Sequence, residues 1–153
     1  MIYIGLDPGA ISGGWGAIDH NSEFIGCGDI QSVDGRINAS QLYRTIKDCV
    51  STFDTAMIVV ESVHSMPKQG VASTAKFMRA AGAIEATAEL TRYPFILVTP
   101  QKWKKHFGLI GLEKKASLER AREAWPEATL HLVKHHGRAD ALLMALWLKD
   151  THE

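Results

Sequence analysis

Three carboxylates stand at the ends of three different predicted elements of this chain. Asp7 closes a first strand, Ile2-Tyr3-Ile4-Gly5-Leu6-Asp7, and Glu61 closes an apolar one, Met57-Ile58-Val59-Val60-Glu61. Asp140 lies near the start of the last predicted helix, within His136-Gly137-Arg138-Ala139-Asp140-Ala141-Leu142-Leu143-Met144-Ala145. An acid at the edge of an apolar element is costly to desolvate unless a cation or donor compensates it. Three such acids, if they converge, make an oxygen-rich pocket suited to Mg²⁺ or Mn²⁺. Taken singly, Asp7 before Pro8-Gly9 reads as a turn former. Asp140 alone reads as an early-helix acid favoured by the helix dipole. Glu61 has the weakest structural explanation, because an acid ending a β-branched run lacks a local role.

The elements that must position these acids follow from periodicity. After Asp7-Pro8-Gly9, Trp15 to Asp19 and Glu23 to Ile30 read as two further strands joined by His20-Asn21-Ser22. Asn38-Ala39-Ser40 caps a helix expected to run to about Phe53, with Leu42, Ile46, Cys49 and Val50 on its apolar face. Thr55 to Glu61 is a strand covered on both faces. Val71 to Thr91 is a long helix rich in small residues, and Pro94 to Val98 is a short strand. Thr99-Pro100 starts a helix, Gly108 to Gly111 breaks it, and Glu113 to Trp125 is helical up to Pro126. Gly137 to Lys149 is the terminal helix. Three antiparallel strands followed by two parallel ones on right-handed crossovers place the first strand beside the fourth. That arrangement brings Asp7 and Glu61 together, and a helix across the sheet can add Asp140.

Bulk properties bound the reading. The 153 residues, 46% hydrophobic and 22% charged, suit one α/β domain spanning 1–153. No run approaches 18 apolar residues, so no transmembrane helix is expected, and the start carries no basic secretory leader. Cys27 and Cys49 show no metal-ligand spacing and read as reduced thiols in the cytoplasm. The zero net charge hides an asymmetry. Residues 1–61 hold three basic and eight acidic residues, residues 62–115 nine and three, and residues 116–153 five and six. A basic middle beside an acid-bearing first segment suits an enzyme that grips phosphates.

The chain resembles the RNase H-like superfamily and, within it, the RuvC-type Holliday junction resolvases, most of all the compact phage and bacterial members. The blocks that carry the resemblance are Ile4-Gly5-Leu6-Asp7-Pro8-Gly9, Val59-Val60-Glu61 with Ser65-Met66-Pro67-Lys68-Gln69-Gly70-Val71-Ala72-Ser73-Thr74, Val98-Thr99-Pro100-Gln101-Lys102-Trp103-Lys104-Lys105, Lys114-Lys115-Ala116-Ser117, and His136-Gly137-Arg138-Ala139-Asp140-Ala141-Leu142-Leu143. The resemblance implies a mixed five-stranded sheet flanked by helices. It implies a homodimer that binds four-way DNA junctions and nicks two strands symmetrically by divalent-metal hydrolysis, leaving 5′-phosphates. It places Asp7, Glu61 and Asp140 on the family's metal-binding acids, with two ions about 4 Å apart at each site. A fourth metal-site residue precedes the last aspartate in the family, and His136, four residues before Asp140, is the candidate here.

The same resemblance gives the basic residues work. Lys102, Lys104 and Lys105 follow Pro100, and Lys114 and Lys115 begin a helix whose N-terminus suits an anion. Lys115 and Ser117 are the preferred pair for the backbone near the cut. Lys68, Lys76 and Arg79 hold a DNA arm, and Arg138 offsets the acids or touches the scissile phosphate. Ser12 is a lesser candidate for a phosphate contact. Met66, in the loop from His64 to Gly70, is the candidate wedge at the junction centre. Trp103, Phe107, Trp125 and Trp147 are expected in the core rather than as base-stacking platforms.

Other functions compete. An actin-like ATPase shares the Asp7-Pro8-Gly9 strand and turn, but this chain lacks a second phosphate loop and is short for two lobes. A non-catalytic DNA-binding module would have little reason to keep all three acids. A related nuclease acting on flaps or RNA–DNA hybrids is the nearer alternative, since the acids do not encode substrate shape.

Overall fold

Apolar residues at every second position build the centre of the sheet. The computed structural model describes residues 1–9, 13–64, 68 and 70–152. Strand β1 (Ile2–Asp7) is buried along its whole length. It pairs antiparallel with β2 (Gly13–Asp19), which pairs antiparallel with β3 (Phe24–Ile30). A small hairpin of β4 (Ser32–Val33) and β5 (Arg36–Ile37) leads into α1 (Ala39–Asp48). Strand β6 (Ala56–Glu61) lies parallel to β1 on its other side, α2 (Val71–Leu90) follows, and β7 (Phe95–Val98) lies parallel to β6. The order across the main sheet is β3-β2-β1-β6-β7, as the sequence predicts. Helices α3 (Pro100–His106), α4 (Lys114–Ala124) and α5 (His136–His152) complete the chain, with a 3₁₀ turn at Val133–His135 before α5.

Strand parity assigns each face its partner. Ile2, Ile4 and Leu6 of β1, with Ile58 and Val60 of β6, pack against Leu42 and Ile46 of α1 and Ile84 and Ala88 of α2. Tyr3 and Val59 face the other way, into a core with Trp103, Leu118, Trp125, Leu130 and the apolar side of α5. Asp7 and Glu61 have the parity of Tyr3 and Val59, so both belong to the α5 face.

Glycines let α5 lie close on the sheet. A Cβ on Gly5 would sit 1.9 Å from the Ala141 carbonyl oxygen, and one on Gly14 would sit 2.3 Å from the Gly137 backbone. Gly5 stands opposite Gly16 and Asp7 opposite Gly14 in the β1–β2 register, so this bare strip runs directly to the first acid. From sequence alone, Gly13-Gly14 reads only as a pair that permits a tight backbone path before the second strand. The structure puts both inside β2, where their lack of a side chain admits the helix.

Two local differences have simple causes. The β4–β5 hairpin, not expected from sequence, turns on Asp34 and Gly35, both at positive φ. Such a pair suits a tight two-residue turn. Helix α1 ends at Asp48 rather than near Phe53, and Phe53 is fully exposed, with no surface to bury against. Its start is as expected, for the Asn38 side chain accepts from the Gln41 N–H at 3.1 Å. Among the described residues, no helix is long and apolar enough to cross a membrane.

Candidate active site

Strands β1 and β6 run in parallel with Leu6 opposite Val60, so Asp7 and Glu61 end adjacent strands at the same level. Asp7 is only 6% exposed. Its Oδ1 accepts the Gly9 N–H at 3.2 Å, a turn bond that fixes the carboxylate. Burial pushes its pKa well above the usual carboxylate range, and the charges of Glu61 and Asp140 push it further. Gly9 and Lys104 act in the opposite direction. Asp140, one turn into α5, is raised to about 7, first by burial and then by Glu61. Lys104, the Ser117 hydroxyl and Lys114 pull it back. Asp140 Oδ1 is buried and has no hydrogen-bond partner among the described residues.

Glu61 is raised by burial as well, and two neighbours counter that shift: the Trp103 indole and Lys104. Trp103 Nε1 donates to Glu61 Oε2 at 2.7 Å from a fully buried position. The three acids therefore share one corner within electrostatic reach of each other. Among the described residues, no three His, Cys, Asp or Glu side chains stand close enough to hold an ion as they are. Like charges in one corner repel, and a cation among them would relieve that cost.

Lys104 was expected as a DNA contact. The structure gives it a second place, since it acts on all three acids. Its Nζ also lies 5.4 Å from the Trp103 ring centre. Trp103 was expected in the core and is there, but its indole N–H makes it a site residue that the sequence reading missed. The only signal was its place between Lys102 and Lys104 in a family block. Ser117, expected near the DNA backbone, is buried beside Asp140.

His136 opens α5 one turn before Asp140. It is half-buried, and burial and Lys114 lower its pKa, which favours the neutral ring that a metal requires. Among the described residues, no hydrogen bond or ion pair joins it to an acid. Arg138 is committed elsewhere. Its Nε donates to Asp29 Oδ1 at 2.8 Å, its Nη2 to Asp29 Oδ2 at 3.1 Å, and its Nη1 to the Thr129 carbonyl at 3.0 Å. Where the sequence reading offered it to the acids or to phosphate, the structure uses its planar fork to tie α5 to β3.

The remaining basic residues lie on α3, at the start of α4, and on or just before α2. Lys102 and Lys105 are exposed on α3, and Lys114 and Lys115 are exposed at the start of α4. Lys115 lies 3.7 Å from Glu119, an exposed pair one turn apart that contributes little. Lys76 and Arg79 are exposed on α2, and Lys68 stands exposed before it at φ 72°. Met66 and Ser12 lie outside the described residues.

A sequence profile described as crossover junction endodeoxyribonuclease RuvC matches residues 3–146. Two proteins of that name, from the Hildenborough and DP4 strains of Nitratidesulfovibrio vulgaris, are 33% and 32% identical to it over 110 residues. Each alignment covers 69% of this chain and 65% of the relative, just under two thirds of its length. The Thermus thermophilus RuvC structure superimposes with a TM-score of 0.67 at 19% identity, over 95% of this chain and 92% of that one. Thermus thermophilus RuvC in complex with a Holliday junction substrate gives the same TM-score and identity, over 95% and 90%. The structural likeness speaks for the fold, and the profile match spans nearly the whole sequence. By the profile match and by the 33% identity to a curated relative, the chain belongs to the RuvC family.

Proposed function

We propose that residues 1–153 form a single nuclease domain that resolves four-way DNA junctions by metal-dependent hydrolysis, making paired symmetrical nicks that leave 5′-phosphates. The observation that carries this reading is the convergence of Asp7, Glu61 and Asp140, three acids from three elements, in one buried corner. The donor set fits a hard divalent cation: it is rich in carboxylate oxygen, and it includes a buried acceptor, Asp140 Oδ1, that has no hydrogen-bond partner among the described residues. Asp7, Glu61, Asp140 and His136 would hold two divalent ions, Mg²⁺ or Mn²⁺. When bound, such ions supply charge neutralisation at phosphorus and a lower pKa for the attacking water.

The chain's own residues prepare the site. The Gly9 N–H holds Asp7, the Trp103 N–H holds Glu61, and Ser117 acts on Asp140. Lys104 favours the ionised form of all three. Lys102, Lys105, Lys114 and Lys115 hold the DNA backbone on one side of the acids. Lys68, Lys76 and Arg79 hold an arm on the other, and Met66 serves as the wedge at the junction centre. The four-way substrate is suggested by the relatives' names and by the junction complex of the Thermus protein.

A homodimer suits two coordinated cuts on a two-fold junction. The outer side of α2 supports it, with Val71 88% and Met78 44% exposed and open space at Gly82. The chain works in the cytoplasm, where the DNA is. The test is cleavage of matched four-way, flap, RNA–DNA hybrid and linear duplex substrates with Mg²⁺ and with EDTA. Paired nicks confined to the four-way substrate and abolished by EDTA are expected. Equal cutting of linear duplex overturns the junction reading, and cutting in EDTA overturns the metal.

A further inference from the structure

A basic pocket lies between the β4–β5 hairpin and α2, outside the acid cluster. It measures about 200 Å³, and its lining includes Gly9, Gly13, Ser32, Arg36, Lys76 and Arg79. Lys76 and Arg79 are three residues apart on α2 and so share a face. Arg36 reaches the pocket from β5, which packs against α2. Among the described residues, the lining holds three full positive charges and no carboxylate. Among the described residues, none of the three cations has a hydrogen bond or an ion pair. Three like charges gathered without a counter-charge repel one another, and an anion between them removes that cost.

The pocket shares a wall with the acids. Gly9 lines it, and the Gly9 N–H is the donor to Asp7 Oδ1. A Cβ on Gly13, another wall residue, would sit 2.5 Å from the Asp7 carbonyl oxygen. The pocket therefore lies beside the end of β1 that carries Asp7. The pocket has ample room for a tetrahedral phosphate, and guanidinium groups recognise such an anion in a bidentate manner.

We propose that Arg36, Lys76 and Arg79 form a subsite for a single backbone phosphate adjacent to the cut, with Arg36 as the residue that closes it. This rests on the reading of the chain as a DNA nuclease. It adds a residue and a hairpin that no family block contains. The subsite sets the register of the cut strand against the acids.

The test measures binding to a four-way junction in the Asp7→Asn background, which leaves the DNA uncut. Arg36→Ala is compared with Arg44→Ala, an exposed cation of α1 that removes the same charge elsewhere. Neutralising Arg36 is expected to weaken binding by about tenfold and to lower the salt slope by about 1. Neutral methylphosphonates are then placed one at a time along the cut strand. The parent is expected to lose affinity at one position beside the cut, and Arg36→Ala to show no further loss at that position. The proposal is overturned if Arg36→Ala binds like Arg44→Ala, or if its loss and the methylphosphonate loss simply add. It also fails if inorganic phosphate stabilises the parent but not Arg36→Ala while junction affinity is equal in both, since the pocket then takes free phosphate. If the protein shows no preference for junctions yet the single-phosphate coupling appears on duplex, the subsite stands and the junction reading falls.

Discussion

Replacing Asp140 with asparagine should stabilise the metal-free protein at alkaline pH. Burial first, and then Glu61, raise this carboxyl from 3.8 to about 7. A raised folded-state pKa contributes stability that is fully present below the unfolded value and is lost as pH rises through the folded one. The loss therefore develops between pH 3.8 and about 7. At about 1.4 kcal/mol per unit, a shift of roughly three units costs about 4 kcal/mol at pH 8. Asparagine keeps the shape and removes the charge. It also relieves Asp7, which Asp140 helps to raise, so the two effects have the same sign. For a chain of this size, about 4 kcal/mol corresponds to a melting temperature roughly 8–16 °C higher. The assay is thermal unfolding of both proteins in EDTA at pH 8 and pH 5. The gap should shrink to under about 2 kcal/mol at pH 5, where wild-type Asp140 is mostly protonated. Saturating Mg²⁺ should then stabilise the wild type more than Asp140→Asn. Equal stability at pH 8, or a gap that does not narrow toward pH 5, would refute the picture of a carboxylate strained by burial and like charge.

Further predictions concern the residues around the acids. Trp103→Phe removes the N–H that lowers the Glu61 pKa, so the acidic limb of the pH–rate profile should move to higher pH; a profile that stays in place would show that the 2.7 Å bond is inconsequential. Because Trp103 is fully buried, the same variant should also lose about 1–3 kcal/mol in denaturant unfolding. His136→Ala should lower single-turnover cleavage more than about tenfold, and an unchanged rate would return this histidine to a structural role. Gly5→Ala sets a methyl group 1.9 Å from the Ala141 carbonyl oxygen, so chemical unfolding should show a loss of about 3 kcal/mol or more. Near-normal stability would mean that α5 does not rest on β1 as described.

Much of the site was legible because strands obey a period of two. Asp7 and Glu61 have the parity of Tyr3 and Val59, and the order of strands places β1 beside β6. Those two facts put both acids on one face of adjacent strands, and the β1–β6 register sets Leu6 opposite Val60, so the two acids end their strands at the same level. Asp140 was harder to place, since nothing in a helical pattern says which strand it crosses. The missing signal was Gly5, Gly14 and Gly16, which form a bare strip only when β1 and β2 are paired. Trp103 was hidden because an indole serves a core and a hydrogen bond at once, and only its distance to Glu61 shows the second role. Arg138 looked like a site cation from its position beside Asp140. Its fork points to Asp29, 109 residues away in sequence, a contact that depends on tertiary structure alone. The β4–β5 hairpin carried a readable Asp34-Gly35 turn, but its strands are too short for alternation to reveal.

Cutting of four-way DNA at one metal site of Asp7, Glu61 and Asp140 is the proposal on which the other readings depend. Its most direct test is single-turnover cleavage of a four-way junction with Mg²⁺ by the wild type and Asp7→Asn, with binding measured on the same substrate. The variant is expected to bind the junction and leave it intact, while the wild type nicks it in pairs. Full cleavage by Asp7→Asn would show that Asp7 holds no catalytic metal.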